Sequence, residues 1–230
     1  MSGYDGPVTL RLALLGDSIA SGQGASRPEQ RLAPRLVRGL AAHGVEVDAD
    51  VVAMSGARSA ALRGQVERAL RRRPQLAVVV VGANDLGHQV HPDVAARELG
   101  TAVRRLTDAG TEVVVAPAPD LSVVPSVPAR LRRVLRAGAA RLRARQVEAV
   151  LANGGRVADR EGATSAAFAA DRSLFSEDLF HPSGAGYAVI ADALLPHLLD
   201  AVEALRQYER CPGADPGTAP TAGEVGGRTS

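Results

Sequence analysis

Leu76-Ala-Val-Val-Val-Val-Gly-Ala-Asn-Asp85 is the stretch that decides the fold. Its first six residues are apolar without a break, and four of them are valine. A strand with one face in water alternates apolar and polar residues; an unbroken run marks a strand covered on both faces, the habit of central parallel strands. Parallel neighbours need crossover segments, usually helices, and the flanks supply them. Upstream, Ser59–Arg72 reads as a helix and Val45–Met54 as a strand, preceded by a helix over Glu29–His43 and a strand over Val8–Leu15. Downstream come a helix over Asp93–Ala109, a strand at Thr111–Ala116, a long helix over Ala129–Ala152 and a weaker strand near Gly155–Ala158. A last helix runs from Ser183 or Gly184 to Gln207. Gly44 and Gly110 follow their helices as C-cap glycines, and Pro92 stands near the start of one. This alternation predicts an α/β fold, a three-layer α/β/α sandwich on a five-stranded parallel sheet.

The 230 residues suit one domain with a full core, expected over 1–208. From Glu209 onward the chain has almost no large apolar side chain and is expected to be a disordered tail, 209–230. No run approaches the roughly 18 apolar residues of a membrane helix. The N-terminal segment, with Asp5 and no basic cluster, reads as the lead-in to a strand and not as a signal peptide. The expected location is cytoplasmic, without integral membrane association. Cys211 stands alone and carries no disulfide or metal argument. All 27 basic residues are arginine, yet the formal net charge is only +2, weak footing for a nucleic-acid partner. With no Trp, three Phe and three Tyr, there is also little on which bases or sugars could stack.

The chemistry sits where the predicted strands end. Gly16-Asp17-Ser18 follows the first strand, Ser55-Gly56-Ala57 the second and Gly82-Ala83-Asn84-Asp85 the third. In a parallel sheet these turns open at one edge, the edge where ligands bind in open α/β folds. Asp178-Leu179-Phe180-His181 precedes the last helix, within the chain's reach of that edge. A serine hydroxyl is a weak nucleophile until a base takes its proton. His181 can serve Ser18 as that base, and Asp178, three residues earlier, can hold the other imidazole nitrogen and fix its tautomer. The backbone N–H groups of Ser18 and Gly56 and the side-chain amide of Asn84 can converge on an oxyanion.

Those four blocks resemble the SGNH hydrolases, also called GDSL esterases/lipases, over nearly the whole domain and in the family's order. GDS at 16–18 matches the first block, SGA at 55–57 the second, GAND at 82–85 the third and DLFHPSGAGY at 178–187 the last. Ala83 and Ile19 depart from the commonest forms without removing a catalytic group. The resemblance implies a flavodoxin-like sheet and a metal-independent serine esterase with no cofactor. In it Ser18, Asp178 and His181 are catalytic, and Ser18, Gly56 and Asn84 form the oxyanion hole. Its partner would be a small-molecule ester, with short or medium acyl chains favoured. An acyltransferase or thioesterase would use the same triad. A non-catalytic lipid- or sugar-ester-binding module on the same fold would be expected to have lost it. The G-x-S-x-G signature of an α/β-hydrolase elbow is missing around Ser18, and Ser21–Ala25 only faintly matches a phosphate-cradling loop.

Each block alone has an ordinary reading. Ser18 could cap a helix, Asn84 and Asp85 could end a strand, and Asp178 with His181 could form a capping loop; four together favour catalysis. Asp17 and Asp85 are expected to bond turn backbone. His88 and His91, with Asp85 and Asp93 nearby, do not have the spacing of a compact metal site. His43 and His197 read as structural or exposed. Arg130, Arg132, Arg133, Arg136, Arg141, Arg143 and Arg145 are expected on a solvated helix face, with Leu131, Val134, Leu135 and Leu142 on another. Phe168, Phe175 and Phe180 all fall in the loop leading to His181. Phe175 and Phe180 are the candidate substrate-binding wall for an acyl chain.

Overall fold

The computed structural model describes residues 9–210. Five parallel strands, β1 (Leu10–Gly16), β2 (Val47–Val51), β3 (Leu76–Val80), β4 (Glu112–Ala116) and β5 (Arg156–Val157), form one sheet in the order β2-β1-β3-β4-β5. This is the flavodoxin-like order, whose connections reverse direction between β1 and β3. The helices are α1 (Ser18–Ser21), α2 (Leu32–Ala42), α3 (Leu62–Leu70), α4 (Ala83–Gly87), α5 (Pro92–Thr107), α6 (Ala129–Ala152), α7 (Ala163–Ala170) and α8 (Gly184–Arg210).

The unbroken apolar run of β3 has the reason expected of it. Every residue of Leu76–Val80 is buried, because successive side chains enter two different cores. Leu12 and Leu14 of β1, Val78 of β3 and Val114 of β4 point to one face, where Leu36 and Leu40 of α2 and Leu194 and Leu198 of α8 cover them. Ala13 and Leu15, Ala77 and Val79, and Val113 and Val115 point to the other, under Val66 of α3 and Leu99, Val103 and Leu106 of α5. The register pairs Leu14 with Val78 and Val78 with Val114, so each face is filled by aligned rows. A leucine buried this completely contributes about 1.5–3 kcal/mol. β2, at the edge, is shorter than its sequence pattern suggests and carries Asp48 and Asp50, charges that discourage pairing with another chain.

Three short helices, α1, α4 and α7, were not expected, and two of them start directly at the strand-end motifs. Six of the seven α6 arginines are exposed, as expected of a solvated face, but Arg143 is largely buried. Leu131 and Val134 are exposed and not packed, Leu135 is half-buried against the core, and full burial of this helix begins at Ala139. The last helix runs to Arg210; the rest of the expected tail, and Cys211, lie outside the described residues.

Candidate active site

β1 delivers Ser18. Gly16 ends the strand at φ +126°, and a Cβ there would lie 1.8 Å from the Val80 carbonyl oxygen, so only glycine fits between β1 and β3. Its peptide is clasped by Gln65 of α3: Gly16 N–H donates to Oε1 at 2.6 Å, and Nε2 donates to the Gly16 carbonyl at 2.8 Å. Asp17 then caps α1, its Oδ1 accepting the Ile19 N–H at 3.0 Å. Ser18 is the first residue of that helix, so its N–H has no acceptor within the helix. Its side chain is nearly buried, at 8% exposure for the residue.

The other two oxyanion candidates come together around the turn after β2. Gly56 has φ +77° with open space where a Cβ would stand, so the backbone angle and not crowding calls for glycine. Asn84, in the first turn of α4, donates from Nδ2 to the Ala57 carbonyl at 3.1 Å. One amide proton is thereby committed to the Gly56 turn, and the second is left for a ligand. This turn is also stitched to the nucleophile's loop. Ser55 Oγ donates to Gln23 Oε1 at 2.8 Å, Met54 N–H donates to the Gly16 carbonyl at 3.1 Å, and Gln23 N–H donates to the Ser18 carbonyl at 2.9 Å.

The base is held by a turn of its own. Phe175 and Pro182 bridge as antiparallel partners, and Ser176 N–H donates to the His181 carbonyl at 2.8 Å, closing a loop over 176–181. Inside it the Asp178 carboxylate does two things. Oδ1 accepts three hydrogen bonds, from Ser176 Oγ and from the Phe180 and His181 N–H groups, each 2.8 Å long. Oδ2 meets His181 Nδ1 at 2.6 Å. Partial burial pushes the carboxyl's pKa up, but the bonds from His181, Phe180 and Ser176 outweigh it and hold the group well below the usual carboxylate range. An ionised carboxylate at this place favours the tautomer with the proton on Nδ1 and the lone pair on Nε2. Leu179 takes φ +55° to let the turn close, strain stored beside the base.

Ser18 and His181 line one cavity of about 80 Å³, and Phe168, Phe175 and Phe180 line it with them. Phe168 and Phe175 meet edge to face at 5.0 Å, and Phe180 meets the His181 ring in the same manner at 5.0 Å. The Ser21–Gly24 loop backs the histidine: Gly24 lies against His181 Cβ, and the buried Tyr187 hydroxyl donates to the Gln23 carbonyl at 2.7 Å. Ser18, His181, Phe175 and Phe180 thus line one cavity, Asp178 reaches it through His181, and Gly56 and Asn84 meet at the turn after β2.

The remaining polar candidates are otherwise engaged. Asp85 accepts the Ser59 N–H and Oγ–H at 3.0–3.1 Å. His88 Nδ1 meets the Asn84 carbonyl, His91 caps α5, and Asp93 pairs with Arg145. Among the described residues no group of three or more His, Cys, Asp or Glu is gathered as a metal's ligands would be. Gln65 and Gln146, both fully buried, were missed; Gln146 ties the Ala118 N–H to the Val81 carbonyl. The signal was there. Each is a polar residue inside an apolar helical stripe, Leu62-Gln65-Val66-Ala69 and Leu142-Gln146-Val150. Asp17 is the other surprise: its Oδ2 is buried with no hydrogen-bond partner, and burial, aided by nearby Asp85, raises its pKa to about 7 against the pull of the Ile19 N–H.

The fold recurs in solved structures. TesA matches with a TM-score of 0.66 at 17% identity, over 85% of this chain and 99% of that one. The psychrotrophic esterase EstA of a Pseudoalteromonas species, inhibited by monoethylphosphonate, matches at 0.66 and 16%, over 86% and 99%. A catalytic mutant of Axe2, an acetylxylan esterase from Geobacillus stearothermophilus, matches at 0.65 and 18%, over 83% and 95%. In sequence, 200 residues are 35% identical to the GDSL-like esterase Rv1075c of Mycobacterium tuberculosis (strain ATCC 25618 / H37Rv), covering 85% of this chain and 64% of the relative's length. No helix among the described residues is long and apolar enough to cross a membrane. The family model for the GDSL-like lipases/acylhydrolases matches residues 14–189, from within β1 to within α8 and across all four motif blocks, and the chain belongs to that family.

Proposed function

We propose that the protein is a serine ester hydrolase that works through an acyl-Ser18 intermediate. The observation that carries this reading is the shared cavity: Ser18 and His181 both line it, and His181 is fixed from behind by an ionised Asp178. In the first half-reaction His181 Nε2 takes the Ser18 proton as Oγ attacks the ester carbonyl. The negative charge that develops on the carbonyl oxygen meets the N–H groups of Ser18 and Gly56 and the free Asn84 amide proton. Collapse expels the alcohol, which receives its proton from His181. Water, activated by the same imidazole, then releases the acid and restores Ser18. Asp178 holds the tautomer and stabilises the imidazolium throughout.

The cavity favours short or medium acyl groups. About 80 Å³ gives room for roughly three water-sized groups, and its walls include the three phenylalanines with Leu121, Val124 and Ile190. The related GDSL-like esterase of M. tuberculosis and the structural neighbours described as esterases support the reaction class. A series of p-nitrophenyl esters from acetate to dodecanoate tests the assignment. Turnover should be greatest among the shorter chains, fall for the longer ones and vanish in Ser18→Ala. A Ser18→Ala variant that keeps its rate would refute the mechanism.

A further inference from the structure

The catalytic cavity does not end at the phenylalanines. Ile19, Pro119, Thr164, Ser165 and Ile190 line both it and a second cavity of about 60 Å³. This second compartment lies against Ile19 and the ends of β3 and β4 at Val80 and Ala116. Its wall is mostly apolar, with Asp159, Thr164 and Ser165 as polar members and one cationic exception.

That exception is Arg143, whose side chain is 18% exposed and reaches the compartment from α6. Its Nη2 is buried and has no hydrogen-bond acceptor. The Asp159 Oδ2 atom stands 3.7 Å away, an ion pair too long for a hydrogen bond, while Nη1 reaches the Ala118 carbonyl only at 3.4 Å. Asp159 also lines the compartment, with its Oδ1 accepting the Thr164 N–H at 3.2 Å. A buried guanidinium N–H without an acceptor is costly, and such groups call for a partner that the fold itself does not provide.

Building on the ester-hydrolase reading, we propose that this compartment is a subsite for the far end of the acyl chain, and that it takes acyl groups bearing a distal uncharged oxygen. A keto, hydroxyl or ether oxygen would accept the Arg143 Nη2 proton. A carboxylate is disfavoured, because Asp159 already balances the guanidinium and would face the second anion. The acyl side of the ester enters here, because the leaving group must stay beside His181 to receive its proton. Ile190, at the junction of the two cavities, sets how readily a chain passes from one to the other.

The test uses p-nitrophenyl esters of five- to eight-carbon acids in three matched forms: plain alkyl, penultimate oxo and terminal carboxylate. Wild type should hydrolyse the oxo ester of the best length with kcat/KM about tenfold above its alkyl partner. The gain should lie mainly in KM, as expected for a contact present before and during the reaction. The carboxylate form should be the poorest of the three. Arg143→Met should bring the oxo-to-alkyl ratio close to one. Ile190→Phe, which narrows the junction without touching the guanidinium, should do the same and shorten the longest chain accepted. It also keeps the test decisive if Arg143→Met fails to fold. A ratio near one in wild type at every length would overturn the proposal, as would an oxo preference that survives Arg143→Met or a preference for the carboxylate. Hydrolysis of none of the esters, acetate included, would instead be a failure of the ester-hydrolase reading itself.

Discussion

The two halves of the proposed active site are built on opposite plans. The nucleophile's turn, Gly16 to Ser18, is part of the core: Gly16 lies against Val80, Gln65 clasps its peptide from a helix 49 residues away, and Asp17 is 1% exposed. The base's turn, over 176–181, is a surface loop organised from within, with one carboxylate oxygen gathering three donors and the other holding the imidazole. The position of Ser18 is therefore a property of the sheet, set by long-range packing. That of His181 is set mainly by the local turn, closed by the Phe175–Pro182 bridge and backed by Gly24. Damage to the first should show in stability and activity together; damage to the second should show in activity alone.

The sharpest way to probe this difference is Asp178→Asn. An asparagine can keep its oxygen toward the turn's N–H groups, but its amide would face Nδ1 and favour the wrong tautomer. We expect kcat to fall about 10³- to 10⁴-fold, with a melting temperature close to wild type by circular dichroism. A large drop in melting temperature would mean that the turn is not the self-contained unit described here.

Gln65→Leu tests the other half. It fits the apolar stripe of α3 but leaves the buried Gly16 N–H without an acceptor, costing about 1–3 kcal/mol in urea denaturation. Because Ser18 is two residues away, kcat should also fall, by about ten- to a hundredfold, with KM little changed. A stability loss without any kcat change would separate the clasp from the chemistry.

Asp17 gives a smaller effect with a defined sign. Its pKa rises from 3.8 to about 7 in the folded protein, so the folded state holds this proton more tightly than the unfolded chain. The stability this contributes is fully present below about pH 4 and is lost as pH rises through about 7. Wild type should therefore lose melting temperature between pH 5 and pH 8, and Asp17→Asn should flatten that dependence. An unchanged slope would place the titration elsewhere.

The same division explains what could be read before any coordinates. The strands Leu76–Val81 and Thr111–Ala116 announce themselves because burial on both faces leaves an unbroken apolar run, Leu76–Val81 in the first and Val113–Ala116 in the second. Asp178 and His181 are legible because their relation is local, three residues apart on one turn. The burial of Gln65 shows in the apolar stripe around it, but its partner does not: nothing nearby in the chain says that a helix glutamine will find a strand-end peptide 49 residues earlier. Nor does sequence spacing reveal that Arg143, one arginine in a row of seven, turns inward while the rest stay in water. The short helices α1 and α4 were read as turns because four or five residues carry too little periodicity to register. Each nonetheless begins beside a candidate oxyanion donor.

The central claim is that one serine, made nucleophilic by the His181–Asp178 pair, carries the reaction. Labelling with a fluorophosphonate probe, followed by peptide mapping, tests it most directly. The account predicts a single adduct, on Ser18, that is absent from Ser18→Ala and forms far more slowly in Asp178→Asn. Equal labelling of wild type and Ser18→Ala, or an adduct on any other residue, would contradict it.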